Sequence, residues 1–266
     1  GAAITTGDAN TAVGYNALAT EDAGLGSVAV GYQALQNQNV DGDSGNVAVG
    51  SNSGNAVTTG TNNSFLGFRS GASITTGSDN VALGYNALSA EDTGTRNIAI
   101  GYEALNSLNY DGAGYNVAVG HRSGYVLSTG IQNTLLGAFA GDAMTSTTAT
   151  VLIGYSAGSA INSADSNGTI AIGYQAGVNI TEAVGSTIIG YQAGYNVITN
   201  DYNTFMGHHA GFDADSADTN ANYNSYMGAF SGKNMDDGAG NTALGAFALR
   251  GTDSAGNDAA NCVAVG

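Results

Sequence analysis

The side chains best suited to chemistry are few in this chain and lie far apart in sequence. Its three histidines are His121, His208 and His209. Repeated around a symmetry axis, such imidazoles could hold a metal ion or an anion. Neither a cysteine nor a pair of carboxylates joins them at ligand spacing. His121 and His208 also stand where equivalent segments carry Tyr, so exchange of one ring for another is the preferred reading. Asp213, Asp215 and Asp218, and separately Asp41 with Asp43, offer oxygen donors of the kind that take Ca2+. Neither group follows the EF-hand loop or the glycine-rich calcium nonapeptide, and both read as solvated loop acids. Ser, His and Asp all occur, yet no trio stands out as a nucleophile with its base and orienting group. Glycoside hydrolysis would need two carboxylates facing across a cleft, and no insertion is long enough to wall one. The chain is therefore expected not to be an enzyme, with no catalytic, cofactor-binding or metal residue assigned.

Charge bounds the partners. The formal net charge is −16, and the five basic residues Arg69, Arg96, Arg122, Lys233 and Arg250 are scattered. Nucleic-acid binding relies on clustered Lys and Arg, and the same acidity opposes adsorption to anionic lipid. No apolar run is long enough to span a bilayer as a helix. The single cysteine, Cys262, has no partner for an internal disulfide.

Composition narrows the fold. The chain has 42 Gly, no Pro and no Trp, with 42% hydrophobic and 10% charged residues among 266. That much apolar content argues against disorder, and Gly does not recur at every third position as in collagen. A regular, turn-dense β structure remains, and internal repetition identifies it. Asn10-Thr11-Ala12-Val13-Gly14-Tyr15-Asn16-Ala17-Leu18 recurs as Ser27-Val28-Ala29-Val30-Gly31-Tyr32-Gln33-Ala34-Leu35, and onward along the chain. The motif glycines are Gly14, Gly31, Gly50, Gly67, Gly84, Gly101, Gly120, Gly137, Gly154, Gly173, Gly190, Gly207, Gly228, Gly245 and Gly266, spaced 17 to 21 residues apart. A 70-residue order, Gly14 to Gly84 to Gly154, points to duplication of a four-coil block. Glu21-Asp22 recurs at Glu91-Asp92, four coils away, so these acids form no ladder of like charge.

Each column of the motif carries an expectation. The residue before the glycine is a large aliphatic, as in Val13, Leu66 and Ile100, and alternate strand residues share a face. These two columns, with Val28 or Ile98 two places earlier, are expected to point into the coil, leaving the Ala between them outside. Where that middle residue is large, its predecessor is usually small, as in Ser64-Phe65 and Thr204-Phe205. Four places before the glycine stands Asn in ten of fifteen copies, expected to form an amide ladder. Three places after it every complete copy has Ala or Ser, which predicts a crowded position. The coil is then strand, bend at the glycine, second short strand and polar return loop. Gly1 to Gly7 matches Gly71 to Gly77, and Gly266 falls within a motif, so residues 1–266 are expected to be a single repeat domain taken from a longer fibre shaft or head.

These repeats resemble those of phage tail-fibre proteins, most closely at Asn10–Leu18, Asn80–Leu88 and Asn97–Leu105, and are similar to the head repeats of trimeric autotransporter adhesins. The resemblance implies an all-β, left-handed parallel β-solenoid (β-roll) of about 15 coils, with three parallel chains around one axis. It further implies an extracellular place, on a virion tail fibre or a bacterial surface, and a role in holding or presenting a host- or receptor-binding surface. A cell-surface glycan or protein would be the receptor. Two alternatives are weaker. The Thr-Thr-Gly segments at Thr5-Thr6, Thr58-Thr59 and Thr75-Thr76, with Ser128-Thr129, resemble the Thr rows of ice-binding solenoids, but they miss about half the coils. A fibre-borne glycan depolymerase lacks the cleft already mentioned.

Overall fold

The computed structural model describes residues 4–214, 221–235, 238–251 and 260–266. The chain is an all-β parallel solenoid in two compact units, Gly1–Gln132 and Asn133–Gly266. In the first unit the strands are Thr11–Val13, Val28–Val30, Val47–Val49, Ser64–Leu66, Val81–Leu83, Ile98–Ile100 and Val117–Val119. Each pairs in parallel with the next, motif column on motif column, so that Ala29 meets Ala48 and Ala82 meets Ala99. The described residues of the second unit repeat the pattern with eight strands, from Thr134–Leu136 to Val263–Val265. Among its described residues the one helical element is a 3-10 turn at Ala164–Ser166.

Strand pairing is only part of the ladder. The bend also bonds coil to coil: Asn86 N–H donates to the carbonyl of Phe68 (3.0 Å) and Leu88 N–H to that of Ala104 (3.0 Å). The return loop does the same, with Thr75 N–H donating to the Asp92 carbonyl (2.7 Å). With donors used in all three segments, the absence of Pro from the sequence follows. The expected second strand is not formed. Beyond the motif glycine the backbone turns left-handed at alternate residues, Asn86 at φ 50 and Leu88 at φ 51, which is incompatible with an extended strand. The glycine itself has two reasons to be invariant. Gly67 sits at φ +136, and a Cβ there would lie 2.5 Å from the Gly84 carbonyl oxygen in the next coil.

The strand faces are the reverse of those expected. The middle residue points inward: Ala29, Ala48, Phe65, Ala82, Leu135, Leu152 and Tyr226 are all buried. The aliphatics flanking it point outward, Leu66 at 47% and Leu83 at 41% exposure. The physical reason lies in how thin the coil is. Three columns share its apolar interior: the strand middle, the Leu or Gly four places after the motif glycine, and the residue seven places after it, such as Val57, Ile74 or Leu108. A large middle residue leaves no room for Leu at the later position. Wherever the middle residue is large (Phe65, Leu135, Leu152, Ile188, Phe205, Tyr226) the later position is Gly, and Leu occurs there only opposite Ala. A Cβ on Gly211 would come within 2.8 Å of the Phe205 ring. The Ala/Ser column is buried as expected, Ala87 and Ser53 included.

The Asn column is buried too, and its amides do more than stack. Asn63 Oδ1 accepts from the backbone N–H of Asn80 (3.0 Å), while Asn63 Nδ2 donates to the Gly77 carbonyl (2.9 Å). Asn63 thus ties its coil to both the strand entry and the return loop of the next. Side chain also meets side chain, Asn63 Nδ2 donating to Asn46 Oδ1 at 3.1 Å.

Candidate functional surfaces

Because the middle column fills the coil, the aliphatics on either side of it form an outer face. In the first unit this face carries Val13 (57% exposed), Val30, Val49, Leu66, Leu83, Ile100 and Val119 in one column. Thr11, Val28, Val47, Ser64, Val81, Ile98 and Val117 form the other. The second unit, taken by itself, has the same two columns, filled by Val, Ile, Leu, Met, Thr and Ser. No charged side chain stands in either column. A chain of net charge −16 therefore keeps two rows of every described strand free of charge.

Past the glycine bend stands a second surface, a ladder of rings. Phe68, Tyr85, Tyr102 and His121 stack with centroids 5.5, 5.0 and 5.1 Å apart. Tyr155, Tyr174, Tyr191 and His208 do likewise at 5.4, 5.3 and 5.1 Å. The spacing is that of offset-stacked aromatics. His121 and His208 are thus placed as rungs. His209 stacks on His208 at 4.2 Å and has Nε2 2.9 Å from Gln192 Oε1. Its pKa is lowered by burial and by the neighbouring His208 and Lys233. Among the described residues no group of three or more His, Cys, Asp or Glu is placed to hold a metal ion. Asp213 accepts from Asn196 Nδ2 (2.5 Å); Asp215 and Asp218 lie outside the described residues. Asp41 and Asp43 belong to a return loop, where Asp43 bridges to Leu25. The first Thr of each pair turns its hydroxyl to the neighbouring coil: Thr5, Thr58 and Thr75 donate to the carbonyls of Asp22 (3.2 Å), Thr75 (3.1 Å) and Asp92 (3.1 Å).

Most cations are already engaged. Arg122 Nε contacts Glu103 Oε2 at 2.9 Å, and Arg96 contacts Asp79 at 3.7 Å. Lys233 lies over Phe212, and Arg250 over Phe247. No helix among the described residues is long and apolar enough to cross a membrane.

Two carboxylates belong to the core, although the sequence reading did not assign them to it. Glu21 and Glu91 are fully buried, in the column seven places after the motif glycine that elsewhere holds Gln38, Val57, Ile74 or Leu108. That column register is the signal that could have revealed them. Glu21 accepts from the Gly24 N–H (2.6 Å) and from Gln38 Nε2 (2.8 Å). Gln38 in turn accepts from Asn46 Nδ2 at 2.9 Å. One block later Leu108 replaces Gln38, and Glu91 is left with backbone donors: Gly94 (2.8 Å), Asp92 (3.1 Å) and Tyr110 (3.3 Å). Burial raises the Glu91 pKa above 4.5; these backbone donors oppose the rise and Asp92 adds to it. A carboxyl held above its unfolded value contributes stability that is complete below about pH 4.5 and lost as pH rises through the folded value. Glu91→Gln should therefore gain on the parent in melting temperature between pH 4 and pH 7. A difference between the two proteins that does not change with pH would contradict the buried carboxyl.

No family model matches the chain, and no curated protein and no solved structure matches it.

Proposed function

We propose that this chain is a structural segment of a homotrimeric extracellular fibre, a phage tail fibre or a surface adhesin, that holds or presents a receptor-binding surface and catalyses no reaction. The observation that carries this reading is the uncharged outer strand face. Leu66 (47%), Leu83 (41%), Leu136 (45%), Met227 (42%) and Leu244 (50%) stand exposed on it. Monomeric proteins seldom leave apolar strips of such length open to water. A surface repeating at about 4.8 Å, the spacing of adjacent strands, is matched along its length only by another surface of the same repeat. A sister chain running parallel supplies one. Three chains rather than two is what the resemblance to tail-fibre and adhesin repeats implies.

Leu66 and Leu83 are register partners on adjacent strands. Leu66→Glu with Leu83→Glu places two carboxylates side by side on the proposed interface while leaving the coil interior untouched. Native mass spectrometry should find the parent at three times the 26.3 kDa chain mass and the double variant dissociated at micromolar concentration. A parent that is folded and monomeric at that concentration would overturn the proposal.

A further inference from the structure

The ring ladder has one gap. Of the fourteen complete copies, thirteen carry an aromatic or His immediately after the motif glycine or, as at Phe139, Phe230 and Phe247, one place later. The exception is the copy at Gly50, followed by Ser51 and Asn52. Tyr32 below the gap stacks on Tyr15 at 5.4 Å, and Phe68 above it stacks on Tyr85 at 5.5 Å. Each ring is therefore covered on its far side only. The two are separated by two coil steps, about 9.6 Å at about 4.8 Å per strand, which is room for one further ring at stacking distance from both. The duplicated block closes the same position with His121, stacked on Tyr102 at 5.1 Å.

The surface beside the gap is chemically specific. A shallow cavity of about 340 Å3 adjoins it, sharing Phe68 with the ring ladder and lined otherwise by Asn52, Asn55, Arg69, Ala72 and Ser73. Phe68 is 44% exposed. Arg69 is the one described cation whose side chain makes no ion pair, hydrogen bond or ring contact within the described residues. Asn52 Nδ2 reaches Ser51 Oγ (3.4 Å), and Asn55 Nδ2 donates to the Gln33 carbonyl (3.2 Å). Both amide oxygens remain free to accept hydrogen bonds. The open face of Phe68 at the gap, with an unpaired guanidinium and two carboxamides in the adjoining cavity, matches a pyranose that carries a carboxylate. The C–H face of the sugar packs on the ring, the guanidinium takes the carboxylate, and the amides take hydroxyls.

We propose that the gap at Ser51 is a binding slot for a single carboxylated sugar unit, a sialic or uronic acid, seated on Phe68 and held by Arg69, Asn52 and Asn55. This names the receptor chemistry of the proposed fibre and in that respect rests on it. The slot belongs to one chain, however, so a failed trimer and a failed slot are separate results. The test is saturation-transfer NMR with titration of the intact protein, using N-acetylneuraminic acid and glucuronic acid, with galactose as the neutral control. At least one acid should bind about tenfold or more tightly than galactose. Ser51→Tyr supplies the missing rung with the residue seven other copies use, and should abolish binding while the melting temperature holds or rises. Arg69→Gln, a residue found at this column in Gln33, Gln175 and Gln192 with φ of 56, 52 and 49, should reduce the acid to the level of galactose. Absence of binding by both acids, or unchanged binding in Ser51→Tyr, would overturn the slot.

Discussion

Asn80→Ala should be among the most damaging single substitutions in the chain, although it removes no apolar contact of note. The Asn80 amide is fully buried. Its Oδ1 accepts from the Asn97 N–H (3.0 Å) and its Nδ2 donates to the Gly94 carbonyl (2.8 Å). Alanine leaves both backbone groups unpaired inside the coil, and each such loss costs about 1–3 kcal/mol. The solenoid itself indicates the rescue. At the same column Ser186 Oγ accepts from the Asn203 N–H (3.2 Å) and donates to the Asn200 carbonyl (3.4 Å). Asn80→Ser should therefore melt between the parent and Asn80→Ala. If Ser and Ala variants melt together, the column acts by shape and not by its hydrogen bonds.

The coil architecture was legible because a repeat shows the same position many times. Fifteen copies of the glycine, the buried Ala/Ser column and the Asn column were all identifiable by residue type. Which strand face turns inward was misread, and the reason is specific. A Val flanking an Ala is the better core residue by transfer energy, so Val28-Ala29-Val30 suggests two Val inside and one Ala outside. A coil this thin reverses that order. Its interior is already supplied by Leu35 and Gln38, both fully buried, and only a small middle residue fits beside them. The exchange of Ala-with-Leu for Phe-with-Gly carried that information, but it links positions six residues apart and becomes readable once the coil is known to close on itself. The second strand failed for a related reason: left-handed φ at Asn16, Gln33 and Asn52 keeps coil-to-coil hydrogen bonds without extended backbone, and residue types such as Asn and Gln hardly distinguish the two.

The candidate surfaces were less legible. The aromatic column was evident as a row, and the structure makes it a stack; its gap at Ser51 mattered only once Phe68 and Arg69 were seen to line one cavity. Glu21 and Glu91 read as loop acids because a charged residue in a return segment ordinarily faces water. Their burial follows from backbone donors, Gly24 and Gly94 among them, which no side-chain pattern displays.

Everything proposed about assembly depends on the middle strand residue facing inward, and a double-mutant cycle at Ala82 and Leu88 tests that directly. Ala82→Phe alone inserts a ring where Leu88 already fills the coil, and overpacking of this kind costs about 1–3 kcal/mol. Leu88→Gly alone empties the same space, at about 2–5 kcal/mol for a buried Leu truncated toward nothing. Together they recreate the pairing that Phe65 makes with Gly71, and large rings in successive coils are accommodated elsewhere, as Phe205 and Tyr226 stack at 5.2 Å inside the second unit. The predicted result is a double variant that melts above both single variants, with a coupling of about 2 kcal/mol, within the range for residues in contact. Strictly additive losses, or an Ala82→Phe variant as stable as the parent whatever stands at position 88, would place that column on the outside and contradict the account.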